Sequence, residues 1–178
     1  MNKKNIKNIK SKDSSGFTLV EILLYISIIS ILTLSFSIFL FMILQSRAKH
    51  QTISEVDQVG IQASQIISQA IRNAKRINLP AQGSQGTTLS LEMEDALKNP
   101  TILNSGGTNI QIKEGVNPIT SLTSSRLNIS NFSFYNVSKD DTSGVIKFQF
   151  TISYVNPSGR NEYDYSKIFY GSGALRYD

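Results

Sequence analysis

Hydrophobic positions along this chain change their spacing twice, and each change marks an element. From Ile22 to Leu44, 23 residues pass without a charge, and the run is apolar on every side of a helix rather than on one face. At about 1.5 Å per residue, a helix of that length crosses a hydrocarbon core of about 30 Å. Beyond it, Ile53, Val56, Gly60, Ala63, Ile67, Ala70, Ala74 and Ile77 recur at spacings of three and four, with Val59 and Ile66 widening the stripe. That is the period of an amphipathic helix. Gln58, Gln62, Gln65, Gln69, Arg72, Asn73 and Lys75 cover its other faces. Gly and Ala in the stripe leave room for a sheet to approach, so the stripe reads as packing within the chain rather than as a contact with another one. Pro80 disfavours helix at Leu79. One helix is therefore predicted from Phe17 to Ile77.

After Pro80 the period drops to two. Ala81 to Thr88 is a Gly/Ser/Gln/Thr loop, and Leu89, Leu91 and Met93 then alternate with Ser90, Glu92 and Glu94. Residues 110–113 form a short strand. Leu127 and Ile129 alternate, and Phe132 and Phe134 continue in shifted phase, which predicts a bulge near Ser130-Asn131. Ile146, Phe148, Phe150, Ile152 and Tyr154 give the cleanest alternation, a half-buried strand. Residues 156–159 are a turn, with residues 163–170 returning as the hairpin partner. Connections at 95–109 and 114–125 read as irregular. The predicted fold class is α+β: a long N-terminal helix, its first half membrane-spanning and its second half packed on a mostly antiparallel sheet of four to six strands.

Charge sharpens the reading of the N-terminus. Lys3, Lys4, Lys7, Lys10 and Lys12 stand against Asp13, so residues 1–16 hold +4 of the net +5. That block reads as positive-inside, which keeps the N-terminus in the cytoplasm and exports the rest. The basic balance is local, and nothing singles out nucleic acid as a partner. An ordinary secretory signal would be cut after its apolar core; Ser46-Arg47-Ala48 loosely fits, but a 23-residue core exceeds the usual 7–15. Cleavage before the core, between Gly16 and Phe17, would instead leave a new cationic amine about one helical turn from Glu21. Glu21 is the lone carboxylate at the mouth of the apolar run, a position that calls for a positive partner.

Gly16-Phe17-Thr18-Leu19-Val20-Glu21 followed by an apolar helix resembles the class III signal of type IV pilins and type II secretion pseudopilins. The resemblance covers residues 12–44. It implies a pilin-like fold, and a prepilin peptidase/methyltransferase that cleaves after Gly16 and N-methylates Phe17. It also implies that Glu21 pairs with the Phe17 amine of a neighbouring subunit in a filament. Its further implications are a leader at 1–16, a membrane and filament-core helix at 17–44, an amphipathic continuation at 45–79 and an exported β-sheet domain at 80–178. The partners implied are other pilin or pseudopilin subunits, an inner-membrane assembly platform and, before assembly, membrane lipid. The location implied is the cytoplasmic membrane, then a pilus or pseudopilus at the cell surface. Residues 67–77 and 121–134 resemble minor pilins and J-type pseudopilins. The alternative is a membrane-anchored extracytoplasmic binding module that does not assemble.

No residues stand out as catalytic, and neither a metal nor a cofactor is called for. Cysteine is absent, which excludes disulfides, thiolate metal sites and a cysteine nucleophile. His50, the single histidine, reads as a juxtamembrane basic group beside Arg47 and Lys49, which would meet phospholipid head groups. Glu92, Glu94 and Asp95 read as a solvated strand face and turn, and residues 139–144 as a hairpin loop. Asn128, Asn131 and Asn136 each begin an Asn-X-Ser pattern, read as a by-product of Asn/Ser-rich strands. Gly171-Ser172-Gly173 is too short for a phosphate cradle.

Overall fold

The structure is a computed structural model that describes residues 16–140 and 144–176. The leader lysines, Asp13 and the loop residues Asp141, Thr142 and Ser143 lie outside the described residues. The long helix, α1, runs Leu19–Arg72. Among the described residues, nine strands follow: β1 Ala74–Leu79, β2 Gln85–Gly86, β3 Thr88–Met93, β4 Thr101–Ser105, β5 Ile110–Glu114, β6 Thr120–Ser121, β7 Leu127–Asn136, β8 Val145–Tyr154 and β9 Ser166–Ala174. A 3-10 turn at Asn161–Tyr163 sits between the last two. Two units divide the chain, residues 1–43 and residues 44–178.

The predicted α+β class holds, with α1 packed on antiparallel sheet, but the strands form two sheets rather than one. Their orders are β1-β3-β4-β5-β6 and β2-β7-β8-β9. The connections expected to be irregular contain β4 and β6, and the expected loop after Pro80 contains β2. The hairpin partner of β8 begins at Ser166 rather than Tyr163 and runs to Ala174. The bulge predicted near Ser130-Asn131 is present. The β7–β8 register shifts between Ser130 and Ser133, and Asn131 adopts a left-handed φ of 51°.

The helix stops at Arg72, short of the expected Ile77, and residues 74–79 pair with β3 instead. The reason lies in the irregularity of β1. Its register slips between Ala74 and Arg76, so two core-facing positions, Ala74 and Ile77, fall three residues apart. A bulged strand thereby imitates helical spacing. The Arg176 N–H donates to the Arg72 carbonyl, satisfying one of the acceptors that a helix end leaves open.

One hydrophobic core serves the second unit. Val56, Ala63, Ile67 and Ile71 from α1 meet Leu89, Leu91, Leu103 and Ile110 from one sheet and Phe134, Phe148, Phe150, Ile152 and Phe169 from the other. The buried helix positions are Thr52, Val56, Gly60, Ala63, Ile67 and Ile71. The stripe is thus rotated slightly from the predicted one: Ile53 and Ala70 are half-buried, while Thr52 and Ile71 point inward. Gly60 permits the closest approach, because a Cβ there would overlap the Phe169 ring. Gly173 makes similar room for Ile71, where an added Cβ would lie 2.9 Å from the isoleucine side chain. Two ion pairs fasten the same helix: Lys167 to Asp57 at 2.9 Å and Arg126 to Glu55 at 3.2 Å.

Candidate processing and assembly site at the helix N-terminus

Thr18, Leu19, Val20 and Glu21 form the sequence pattern of a capping box, a threonine followed three residues later by a glutamate. The geometry follows half of it. The Glu21 N–H donates to Thr18 Oγ1 at 3.2 Å, and the Ile22 N–H donates to the Thr18 carbonyl at 3.2 Å. Thr18 therefore caps α1 and fixes where it begins. Gly16 and Phe17 precede the helix and are exposed. An accessible bond is what a peptidase requires, and among the described residues nothing lies within 4 Å of where a Gly16 Cβ would be.

The Glu21 side chain does not complete the box. Its Oε1 accepts a hydrogen bond from the Tyr25 hydroxyl at 3.1 Å. The Tyr25 ring in turn meets the Phe17 ring edge-on, with centroids 6.2 Å apart and planes at 74°. Glu21 and Tyr25, four residues apart, lie on one face of α1, and the Phe17 ring reaches Tyr25 from just before the helix. A carboxylate in the first turn also lies at the positive end of the helix dipole. The structure thus places the three sequence-chosen residues, Gly16, Phe17 and Glu21, within one turn of the helix start and adds two more, Thr18 and Tyr25. The capping pattern and the i, i+4 spacing from Glu21 were the signals for these two.

The apolar half of α1 is long enough to cross a membrane, with a mean hydropathy of 2.5 over its most apolar window and no part of that window buried. Its hydroxyls are turned inward on the helix itself. Ser27, Ser30, Thr33, Ser35 and Ser37 each donate to the backbone carbonyl four residues back, at 2.7–2.9 Å. In hydrocarbon this leaves those groups satisfied without a partner from outside.

Other sequence candidates fall elsewhere. His50 is exposed on α1. Lys49 donates to the carbonyls of Asn161 at 3.0 Å and Asp164 at 2.6 Å, tying the helix to the β8–β9 connection. Glu162 beside it is buried and ion-paired with Arg160. Its carboxyl is held below the usual value by its own backbone N–H; burial opposes this, and Arg160 and Lys49 reinforce it. Glu92 and Glu94 do not share a strand face, because β3 ends at Met93. Among the described residues, no group of three or more His, Asp or Glu side chains is placed to hold a metal. Asn136 is 4% exposed, and its amide donates to the Pro80 carbonyl at 2.8 Å while its oxygen accepts from the Ser138 N–H, so it is closed to a glycan. An open cleft of about 660 Å³ on the β7–β8–β9 sheet is lined by Tyr135, Lys147, Gln149 and Tyr170 among others, without a histidine or carboxylate.

The family model for the prokaryotic N-terminal methylation motif matches residues 11–37, a segment that contains Gly16, Phe17, Glu21 and Tyr25. The chain carries a pilin-type methylation motif. That class III signal is the hallmark of type IV pilins and pseudopilins. It supports a pilin- or pseudopilin-type protein processed by prepilin peptidase, and it points to a structural protein rather than an enzyme. The motif also implies assembly with other pilin subunits, and together with the apolar helix it fits a membrane-anchored pilin. No curated protein and no solved structure matches the chain.

Proposed function

We propose that this chain is a minor structural subunit of a type IV pilus or a type II secretion-like pseudopilus. Prepilin peptidase removes residues 1–16, and Phe17 becomes the N-methylated first residue. Before assembly the subunit is held in the cytoplasmic membrane by the apolar half of α1, with residues 80–178 outside. An assembly platform then moves it into a filament, where Glu21 pairs with the Phe17 amine of a neighbour. One observation carries the reading: Thr18 caps the helix directly after an exposed Gly16-Phe17 bond, inside a matched methylation motif, with Glu21 one turn on.

The physical logic is that an ammonium and a carboxylate, each expensive in hydrocarbon, are cheaper together. Pairing them between chains therefore favours one register of packing. The test is the N-terminal residue and intact mass of chain recovered from membranes and from sheared surface material. An N-methylated Phe17 in both fractions is the expected result. A Met1 start confined to membranes would leave a single-span anchor bearing a non-assembling binding domain, and a start near Lys49 would mean an ordinary signal peptide.

A further inference from the structure

We infer that Tyr25 is a positioning residue for Glu21: in the unassembled subunit its hydroxyl serves as the carboxylate's stand-in donor, until the amine of a neighbouring subunit takes that place. The inference rests on the assembly reading above. Leu19, Val20, Ile22, Leu23 and Leu24 around the Glu21 carboxylate are all exposed apolar side chains. A carboxylate among them has no water to replace a missing donor once the helix lies in lipid. Among the described residues, its side-chain partner is the Tyr25 hydroxyl at 3.1 Å.

Two further observations separate Tyr25 from a chance contact. The serine and threonine hydroxyls of this span donate to backbone carbonyls of their own helix, whereas the Tyr25 hydroxyl donates to a side chain. Its ring also packs edge-on against Phe17, so the residue that holds the carboxylate touches the residue whose amine is the proposed partner. Tyr25 thus touches both Glu21, on its own helix face, and Phe17, just before the helix.

The chemistry makes the stand-in exchangeable. A carboxylate offers two oxygens with about four acceptor sites, and Tyr25 engages one oxygen. A phenol is a neutral donor, whereas an ammonium adds its own positive charge and so attracts the carboxylate by Coulomb's law as well as by the hydrogen bond. The arriving amine therefore displaces or outcompetes the hydroxyl without a barrier from a competing charge. A cation in the same place would hold the carboxylate too tightly to exchange. No covalent step is involved.

The test uses the full chain in its native membranes and a hydrophobic carbodiimide, dicyclohexylcarbodiimide, which reacts with carboxyl groups in lipid. The labelling rate at Glu21 is read by peptide mass spectrometry. Tyr25→Phe keeps the ring and removes the hydroxyl, and is expected to raise the rate about tenfold, equivalent to about 1.4 kcal/mol. Glu21→Gln abolishes the label and assigns it. Ile26→Ala, a neighbouring lipid-facing change, is expected to leave the rate at the wild-type value. An unchanged rate in Tyr25→Phe, or an equal rise in Ile26→Ala, would overturn the proposal. Intact masses from the same samples separate the two readings. A raised rate on chain that still starts at Met1 would keep the Tyr25 role and sink the processing reading. A methylated Phe17 with no Tyr25 effect would do the reverse.

Discussion

Replacing Gly60 with alanine sets two effects of known size against each other. Gly60 is an interior helix residue, and alanine at an exposed helix interior is worth about 1 kcal/mol more than glycine. Gly60 is not exposed. Its ideal Cβ would overlap the three outermost carbons of the Phe169 ring, so no small tilt of that ring clears it. Nor is the ring free to leave. Phe169 stacks on Phe150 with centroids 5.4 Å apart and planes at 19°, and Lys167 lies 5.6 Å over its centroid on a chain tied to Asp57. Overpacking a fixed core costs about 1–3 kcal/mol, and so complete an overlap belongs at the upper end. With the propensity gain subtracted, Gly60→Ala is expected to destabilise the second unit by about 2 kcal/mol, a fall in melting temperature of roughly 6–10 °C for a unit of this size. The assay is thermal and urea unfolding of the full chain in detergent micelles, followed by near-ultraviolet circular dichroism. Phe169→Leu supplies the control, since a smaller side chain relieves the clash: the double variant should be more stable than the sum of the single changes allows. A Gly60→Ala chain as stable as wild type, or more so, would refute the close seating of Phe169 on the helix.

Other outcomes follow from the same geometry. Phe150→Ala empties the centre of the aromatic cluster and is expected to cost about 3–5 kcal/mol in the same unfolding assay. On the proposed pairing, Glu21→Ala leaves a neighbour's amine without its partner, at about 3–5 kcal/mol for a buried unpaired charge. It should therefore lower the sheared-fraction yield by more than about tenfold, while the membrane pool persists; normal yield would remove the pairing role. The Glu162 carboxyl is held below its ordinary value of 4.5, so its contribution is fully present above that value and is lost as pH falls through the lower, folded-state value. Glu162→Gln should flatten the acid limb of the stability profile. Lys167 is raised above 10.5, chiefly by its hydrogen bond to Asp57, so its contribution is present below that pH and lost on further alkalinisation. Asp57→Asn should remove that alkaline dependence, as read by melting temperature against pH.

The helix start and the methylation motif were legible because they are local. A run of 23 uncharged residues and the Gly-Phe-Thr-Leu-Val-Glu string fix position without reference to anything distant. Clean alternation likewise revealed β8 and the phase slip at Asn131. What the sequence hid depends on long-range pairing. β1 looks helical until β3 lies beside it, and β2 and β6 are two-residue strands that exist only through their partners. Lys49 reads as a lipid contact because its neighbours are membrane-proximal. The acceptors it has within the chain, the carbonyls of Asn161 and Asp164, lie more than a hundred residues away. Tyr25 was hidden for another reason. A tyrosine in an apolar helix reads as one more hydrophobic residue until its hydroxyl is seen to reach Glu21.

The back-turned hydroxyls of Ser27, Ser30, Thr33, Ser35 and Ser37 bear on reversibility. A helix whose polar groups are all internally committed treats lipid tails and the flanks of other helices as nearly equivalent solvents. Transfer between them breaks no hydrogen bond and sheds no bound water along this stretch. In the proposed assembly, the free-energy difference between the membrane and filament states then reduces to side-chain packing and the exchange at Glu21. On that proposal, the cost of moving such a span between bilayer and polymer is set at one end of the helix rather than along its length.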